Sequence, residues 1–224
     1  HPLDQVEKLL IAERFPAAIK KLATVEVVSL PDFRLQMQYY YLKGMIDTLT
    51  SNQTATTTFD FTQILDKLDE KHATIFSQLG YLGFGILYAR KDRLGDAEFF
   101  FTKVVKYLNQ QTNDHKNLRA LSMVQYNRLV MMLYYVAEYQ ALRDRLDNSN
   151  RFLRRVTKLC AARYETYLMP RTKLLAANNA LQSGAPAAQV SALLAEALAF
   201  ARFNGNSVVE LQAAALKKQL AGLE

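Results

Sequence analysis

Residues 81–104, YLGFGILYARKDRLGDAEFFFTKV, constrain this chain more than any other stretch. Tyr81, Phe84 and Tyr88 recur at helical spacing and share one face of a first helix. Gly85 lies among them, where glycine costs about 1 kcal/mol against alanine. Close approach of a second helix accounts for that cost. The second helix follows Lys91-Asp92-Arg93, sets its small Ala97 opposite Gly85, and continues the packed stripe through Phe101 and Val104. Two antiparallel helices that interlock large side chains with small ones are predicted here.

The order Tyr81, Phe84, Gly85, Tyr88, Ala97, Phe101, Val104 resembles the tetratricopeptide pattern. It departs from that pattern at Phe84, at Val104 and in lacking a late proline. Helical periodicity extends on both sides. Leu3, Val6, Leu9 and Leu10 face one way in a helix over 3–13, and Pro16 suits the start of a second. The β-branched VEVV stretch then weakens helix propensity. Pro31-Asp32 opens a third helix reaching about Leu49, in which Tyr39-Tyr40-Tyr41 precede Gly44 much as Tyr81 precedes Gly85. SNQTATTT, residues 51–58, reads as a polar loop. It contains a glycosylation acceptor, Asn52-Gln53-Thr54, discounted because nothing else argues for secretion. A fourth helix covers 59–71, and a break falls at 109–114.

Leu121, Val124, Leu129, Met132, Leu133 and Val136 predict a helix over 115–137. Leu142, Leu146, Ser149, Leu153, Val156 and Cys160 step by four and three, which predicts one long helix continuing through Asn148-Ser149-Asn150. The segment 162–182 holds Pro170, at a kink or at the true helix start. Ser183-Gly184-Ala185-Pro186 is a turn, and helices over 187–203 and 206–221 close the chain. No strand pattern is found. The fold class is all-α, an α-solenoid of antiparallel helical hairpins (tetratricopeptide-like repeats), forming one continuous domain over 1–224. An irregular helical bundle is the structural alternative.

Composition narrows the chemistry. The 28 Lys and Arg against 21 Asp and Glu give a net charge of +7, which fits a basic-tilted surface and leaves room for an acidic partner. One cysteine, Cys160, permits no intrachain disulfide and fits a reducing compartment. No run of 18 apolar residues predicts a membrane span, and no signal peptide is visible. His1, His72 and His115 have no second ligand at metal spacing, so no metal or cofactor is predicted. Gly80, Gly83 and Gly85 follow no strand and are in the wrong order for a dinucleotide loop. No nucleophile signature is present, and the chain is not expected to be an enzyme. Arg143, Arg145, Arg151, Arg154, Arg155, Lys158 and Arg163 form a basic face that Asp144 and Asp147 interrupt. It reads first as a solvated face, then as a contact for an acidic partner, and last as a nucleic-acid surface.

An α-solenoid can bind an extended peptide along its concave side, where amide side chains meet the peptide backbone. Copying the register of the central hairpin places Leu82, Ile86 and Ala89, with Arg90 at the edge, on that side. The same register selects Gln38, Tyr41 and Met45 on the third helix, Asn127, Met131 and Tyr134 on the 115–137 helix, and Arg171, Leu174 and Asn178 before Ser183. The alternative for each apolar member is a place in the core between repeats.

YNRLVMMLYYVAEYQAL (126–142) and LLAEALAFARFNGNSVVELQAAALKKQL (193–220) resemble segments of the Gram-positive, peptide-pheromone-responsive transcription regulators of PlcR and Rgg type. The chain departs from them at Ser183–Gln189 and in the long 138–161 helix. The resemblance implies a cytoplasmic regulator in which an N-terminal helix-turn-helix domain binds DNA and the repeats bind a short signalling peptide. It implies a homodimer, and it matches Asn127 to a groove asparagine. The sequence opens on His1 and holds no helix-turn-helix, so that domain is expected ahead of it. Two rival readings stand beside this one. The first is a stand-alone helical-repeat adaptor for a larger protein. The second is a helical enzyme or nucleic-acid module using the basic 143–163 face.

Overall fold

The computed structural model describes residues 1–51 and 54–222, so most of the glycosylation acceptor, Asn52-Gln53, lies outside the described residues. Among the described residues there is no strand. The helices are α1 (Pro2–Ile11), α2 (Phe15–Leu22), α3 (Phe33–Thr50), α4 (Thr54–Gln63), α5 (Ile75–Arg90), α6 (Leu94–Asn113), α7 (His115–Ala120), α8 (Met123–Leu142), α9 (Leu146–Ala162), α10 (Met169–Gln182), α11 (Ala187–Asn204) and α12 (Ser207–Ala221). Successive helices pair as antiparallel hairpins, the all-α solenoid class. No helix among the described residues is long and apolar enough to cross a membrane.

One turn recurs along the chain. Glu13, Asp92, Asp144, Tyr164, Gly184 and Gly205 each adopt positive φ. The amide of the following residue then reaches a carbonyl five residues back, from Arg14 to Leu9, Arg93 to Tyr88, Arg145 to Gln140, Glu165 to Cys160, Ala185 to Ala180 and Asn206 to Ala201, at 2.8–3.0 Å. This is the Schellman closure, which satisfies carbonyls left open at a helix end. Three of these turns spell an acidic residue, an arginine and an apolar residue: Glu13-Arg14-Phe15, Asp92-Arg93-Leu94 and Asp144-Arg145-Leu146. The third corrects the expected long helix over 138–161. The chain runs helically through Ser149, but it breaks at Asp144, where φ is 58°.

The expected helix over 115–137 is also two helices. Ser122 and Gln125 form a capping box between α7 and α8, with the Ser122 amide donating to Gln125 Oε1 at 2.9 Å and the Gln125 amide to Ser122 Oγ at 3.3 Å. The predicted break at 109–114 is sharper than expected. Helix α6 continues to Asn113, and Asp114 then caps α7 by accepting from the amides of Lys116 and Asn117. Helix α4 begins at Thr54, inside the predicted loop, and ends in a π-helical turn over Ile64–Leu68. Pro170 marks no kink but lies in the first turn of α10, just after its start at Met169, where its missing N–H costs nothing. VEVV yields only a 3₁₀ turn, Val27–Ser29.

The described contacts form two compact units, His1–Met132 and Leu133–Glu224, with the division inside α8. In the first, α3 packs against α1, α2, α4 and α5, and α5 pairs with α6. Gly85 does meet close approach, but from Phe101 rather than Ala97: a methyl group added there would lie 2.9 Å from the Phe101 ring. Phe61 is held still more tightly, wedged between Gly44 of α3 and Gly83 of α5. In the second unit α10 packs against α9, α11 and α12. Its core runs through Leu174, Ala177, Val190, Leu194, Ala197, Ala201, Val209 and Ala213.

Candidate functional site

The second unit contains a cleft of about 380 Å³ lined by α8, α10 and α12. Helix α8 contributes Tyr134 and Glu138, one turn apart. Helix α10 contributes Arg171, Leu174, Leu175 and Asn178, and α12 contributes Gln212, Ala215, Leu216 and Gln219. The α10 and α12 sets share the spacing i, i+3, i+4, i+7, a single helical stripe on each. Pro170 lies in the first turn of α10, and the buried Asn206 caps α12 by accepting from the Val209 amide at 3.1 Å.

The side chains form an apolar floor with a polar rim. Leu174 and Leu216 are buried, whereas Asn178, Gln212 and Gln219 are exposed. Tyr134 donates its hydroxyl to Glu138 Oε2 at 3.1 Å, and Arg171 Nη1 donates to Gln212 Oε1 at 2.6 Å. A cation, a carboxylate and three amides thus surround apolar surface. Amides offer both donors and acceptors, as an extended backbone requires. From Arg171 to Asn178 the α10 stripe rises about 10 Å. That length spans roughly three residues of extended chain.

Of the residues singled out in the sequence, the cleft brings together Tyr134, Arg171, Leu174 and Asn178. The others lie elsewhere, in the first unit. Gln38, Tyr41, Met45, Leu82, Ile86 and Met131 are inside it, each at most 3% exposed. The Tyr41 hydroxyl points to Met131 Sδ at 3.9 Å. Asn127 is buried on α8. Arg90 is exposed, and its Nη1 donates to the Thr48 and Leu49 carbonyls at 3.3 Å, closing the C-terminal end of α3. His72 bridges the Leu65 carbonyl and the Tyr81 hydroxyl at 3.0 and 2.9 Å.

Gln38 belongs to a cluster that sequence reasoning missed. Glu7 of α1, 1% exposed, accepts from Arg128 Nε at 2.6 Å and from Arg128 Nη2 at 2.9 Å. Gln38 Nε2 donates to Glu7 Oε2 and to Asp4 Oδ1, both at 2.9 Å. Arg128 also lies 4.9 Å over the Phe76 ring. Burial opposes the Arg128 charge, yet Glu7 holds its pKa above the usual value. The available signal was Glu7 itself, a carboxylate beside the apolar Val6 and Leu10 stripe. Glu138, Gln212 and Gln219 of the cleft were missed too. The spacing of α12, which copies that of α10, was their signal.

No family model matches the chain, and no curated protein matches it. Among solved structures, PlcR of Bacillus thuringiensis, crystallised with the peptide PapR7 and DNA, matches with a TM-score of 0.72. The fold is PlcR-like. The alignment covers 98% of this chain and 72% of PlcR at 14% sequence identity. At that identity the likeness is one of fold.

Proposed function

We propose that this chain is the regulatory, peptide-binding region of a cytoplasmic transcription regulator. The cleft among α8, α10 and α12 carries the reading: its floor takes apolar side chains, its amides meet a peptide backbone, and Arg171 and Glu138 bring charge of both signs to its lining. The PlcR-like fold supports it, since PlcR was solved with a peptide and DNA. In this reading the domain has no catalytic role. It works as a homodimer and reaches DNA through a helix-turn-helix segment attached ahead of the repeats. Peptide binding then biases one arrangement of the attached domains over another, by as much as the peptide's affinity differs between them.

The test is calorimetric titration of the chain with a library of short apolar peptides carrying a free carboxyl terminus. Saturable binding at one peptide per chain is expected. Affinity should fall about tenfold in Arg171→Ala and in Asn178→Ala, a loss of about 1.4 kcal/mol. A peptide that binds both variants as tightly as the parent would place the site elsewhere. A library without a binder would count against the reading itself.

A further inference from the structure

Helix α10 has a second working face. Opposite the cleft, a groove of about 520 Å³ runs over α10 between α9 and α11. Helix α10 packs against both neighbours and forms the floor, where the small Ala176 gives depth. Helix α9 forms a cationic wall through Arg154 and Lys158, and α11 offers the apolar Leu193. Bonds between α9 and α10 brace the groove: Asn179 Nδ2 donates to Ser149 Oγ at 2.9 Å and to Asn150 Oδ1 at 3.0 Å.

Three observations indicate what the groove takes. First, Arg154 and Lys158 are one turn apart on the same face, both exposed, and among the described residues neither has an ion-pair or hydrogen-bond partner. Like charges at this spacing repel, so an anion between them relieves an existing cost. Second, none of the described lining side chains is acidic; Lys173, also in the lining, pairs with Glu196 of α11 at 2.5 Å, outside the groove. Third, Thr172 in the floor is 2% exposed and its Oγ1 has no hydrogen-bond partner. Buried hydroxyls are ordinarily satisfied.

We infer that this groove binds an extended polypeptide segment in which acidic and apolar residues alternate. The spacing favours this form. Arg154 and Lys158 are separated by about 6 Å along the axis of α9. Alternate residues of an extended chain recur at about 6.7 Å and point the same way. Two carboxylates spaced in that manner meet the two cations, while the side chains between them turn toward Ala176 and Leu193. The inference stands apart from the peptide cleft, which uses the other face of α10.

The test uses the full chain and a fluorescein-labelled octapeptide alternating glutamate with leucine, followed by anisotropy in low salt. The charge reversal Arg154→Glu with Lys158→Glu is expected to weaken binding about tenfold or more. The matching reversal Lys217→Glu with Lys218→Glu, on α12, should leave affinity within about twofold. Far-ultraviolet circular dichroism establishes that both variants fold. A peptide of the same composition with its glutamates in one block should bind more weakly. Equal losses in the two reversals would reduce the effect to diffuse charge and overturn the assignment. So would no binding by the alternating peptide. A single-stranded oligonucleotide that binds more tightly and is lost in the α9 reversal would replace the polypeptide with nucleic acid.

Discussion

In the unit ending at Met132, a carboxylate, a guanidinium and an amide meet inside the protein: Glu7, Arg128 and Gln38 are all under 5% exposed. In the unit beginning at Leu133, the same three chemistries stand around an opening, as Glu138, Arg171 and Asn178. The residue types match and the outcomes differ. What separates them is burial: the first three are enclosed, whereas Glu138 and Arg171 are half-buried and Asn178 is exposed. Arg128 makes two bonds to one buried carboxylate, a closed arrangement in which neither charge is available. Arg171 makes a bond to an exposed Gln212 amide, which a ligand can displace at small cost. A polar residue on a repeat helix is therefore no guide to binding until its partner is known.

The sharpest way to break this comparison is to open the closed cluster. Glu7→Ala leaves Arg128 charged and buried without its counter-ion, which costs about 3–5 kcal/mol. Urea denaturation should show that loss as a lower midpoint. The double change Glu7→Leu with Arg128→Met replaces the pair by apolar volume and should recover most of it. If Glu7→Ala cost under about 1 kcal/mol, the cluster would be as open as the cleft.

The next effect is one of pH. Burial raises the Asp60 carboxyl to about 6, against the pull of Lys43, whose Nζ donates to it at 2.8 Å. The folded pKa lies above the unfolded reference of 3.8. The folded chain thus takes up this proton first as pH falls, and Asp60 weakens the fold above about pH 6. That penalty is relieved between about pH 6 and pH 4 and amounts to at most about 3 kcal/mol. Asp69 acts in the opposite sense: burial would raise its pKa, but hydrogen bonds from Ser77 and Thr74 hold it below the usual value. Its stabilisation is lost only at lower pH. The difference between parent and Asp60→Asn isolates the first effect. The parent should gain on the variant as pH drops from 7 to about 4.5.

How much of this was legible follows from the kind of signal involved. The hairpin at 81–104 could be read because a costly Gly85 demands a close neighbour, although Phe101 rather than Ala97 supplies the approach. The break at Asp144 was missed because the apolar steps continue across it. Periodicity reports which face is buried, and two successive helices can keep one rhythm. The recurring Asp-Arg-Leu turn marks the break and becomes visible only when compared with residues 92–94. At the site, register placed Tyr134, Arg171, Leu174 and Asn178 around one cleft. The same register assigned Gln38, Tyr41 and Met45 to the groove, yet all three lie in the interior, because Gln38 meets side chains of α1 and Tyr41 meets α8, far away in sequence.

A smaller stability effect bears on the same lesson. Gly83→Ala should gain about 1 kcal/mol in helix propensity. The added methyl meets the Phe61 ring, which cannot retreat, since a methyl at Gly44 would already lie 2.7 Å from Phe61 Cε1. Overpacking of this kind costs about 1–3 kcal/mol, so a net loss is expected in thermal denaturation. A net gain would mean that Phe61 has room to move.

The smallest stability change is expected in the cleft, and there the comparison becomes most exact. Arg171→Met keeps most of the aliphatic stem and removes the bond to Gln212. Because that bond is exposed, its loss should by itself change stability by less than about 0.5 kcal/mol. Peptide affinity should nonetheless fall about tenfold, since the lost cation faces the ligand. The two readouts come apart at Arg171 only if the cleft is open as described. At Arg128 they cannot: its replacement by alanine leaves Glu7 buried without its counter-ion, so the loss falls on the fold, by about 3–5 kcal/mol. A large stability loss on Arg171→Met would make it a second Arg128, committed to the fold and unavailable to a ligand.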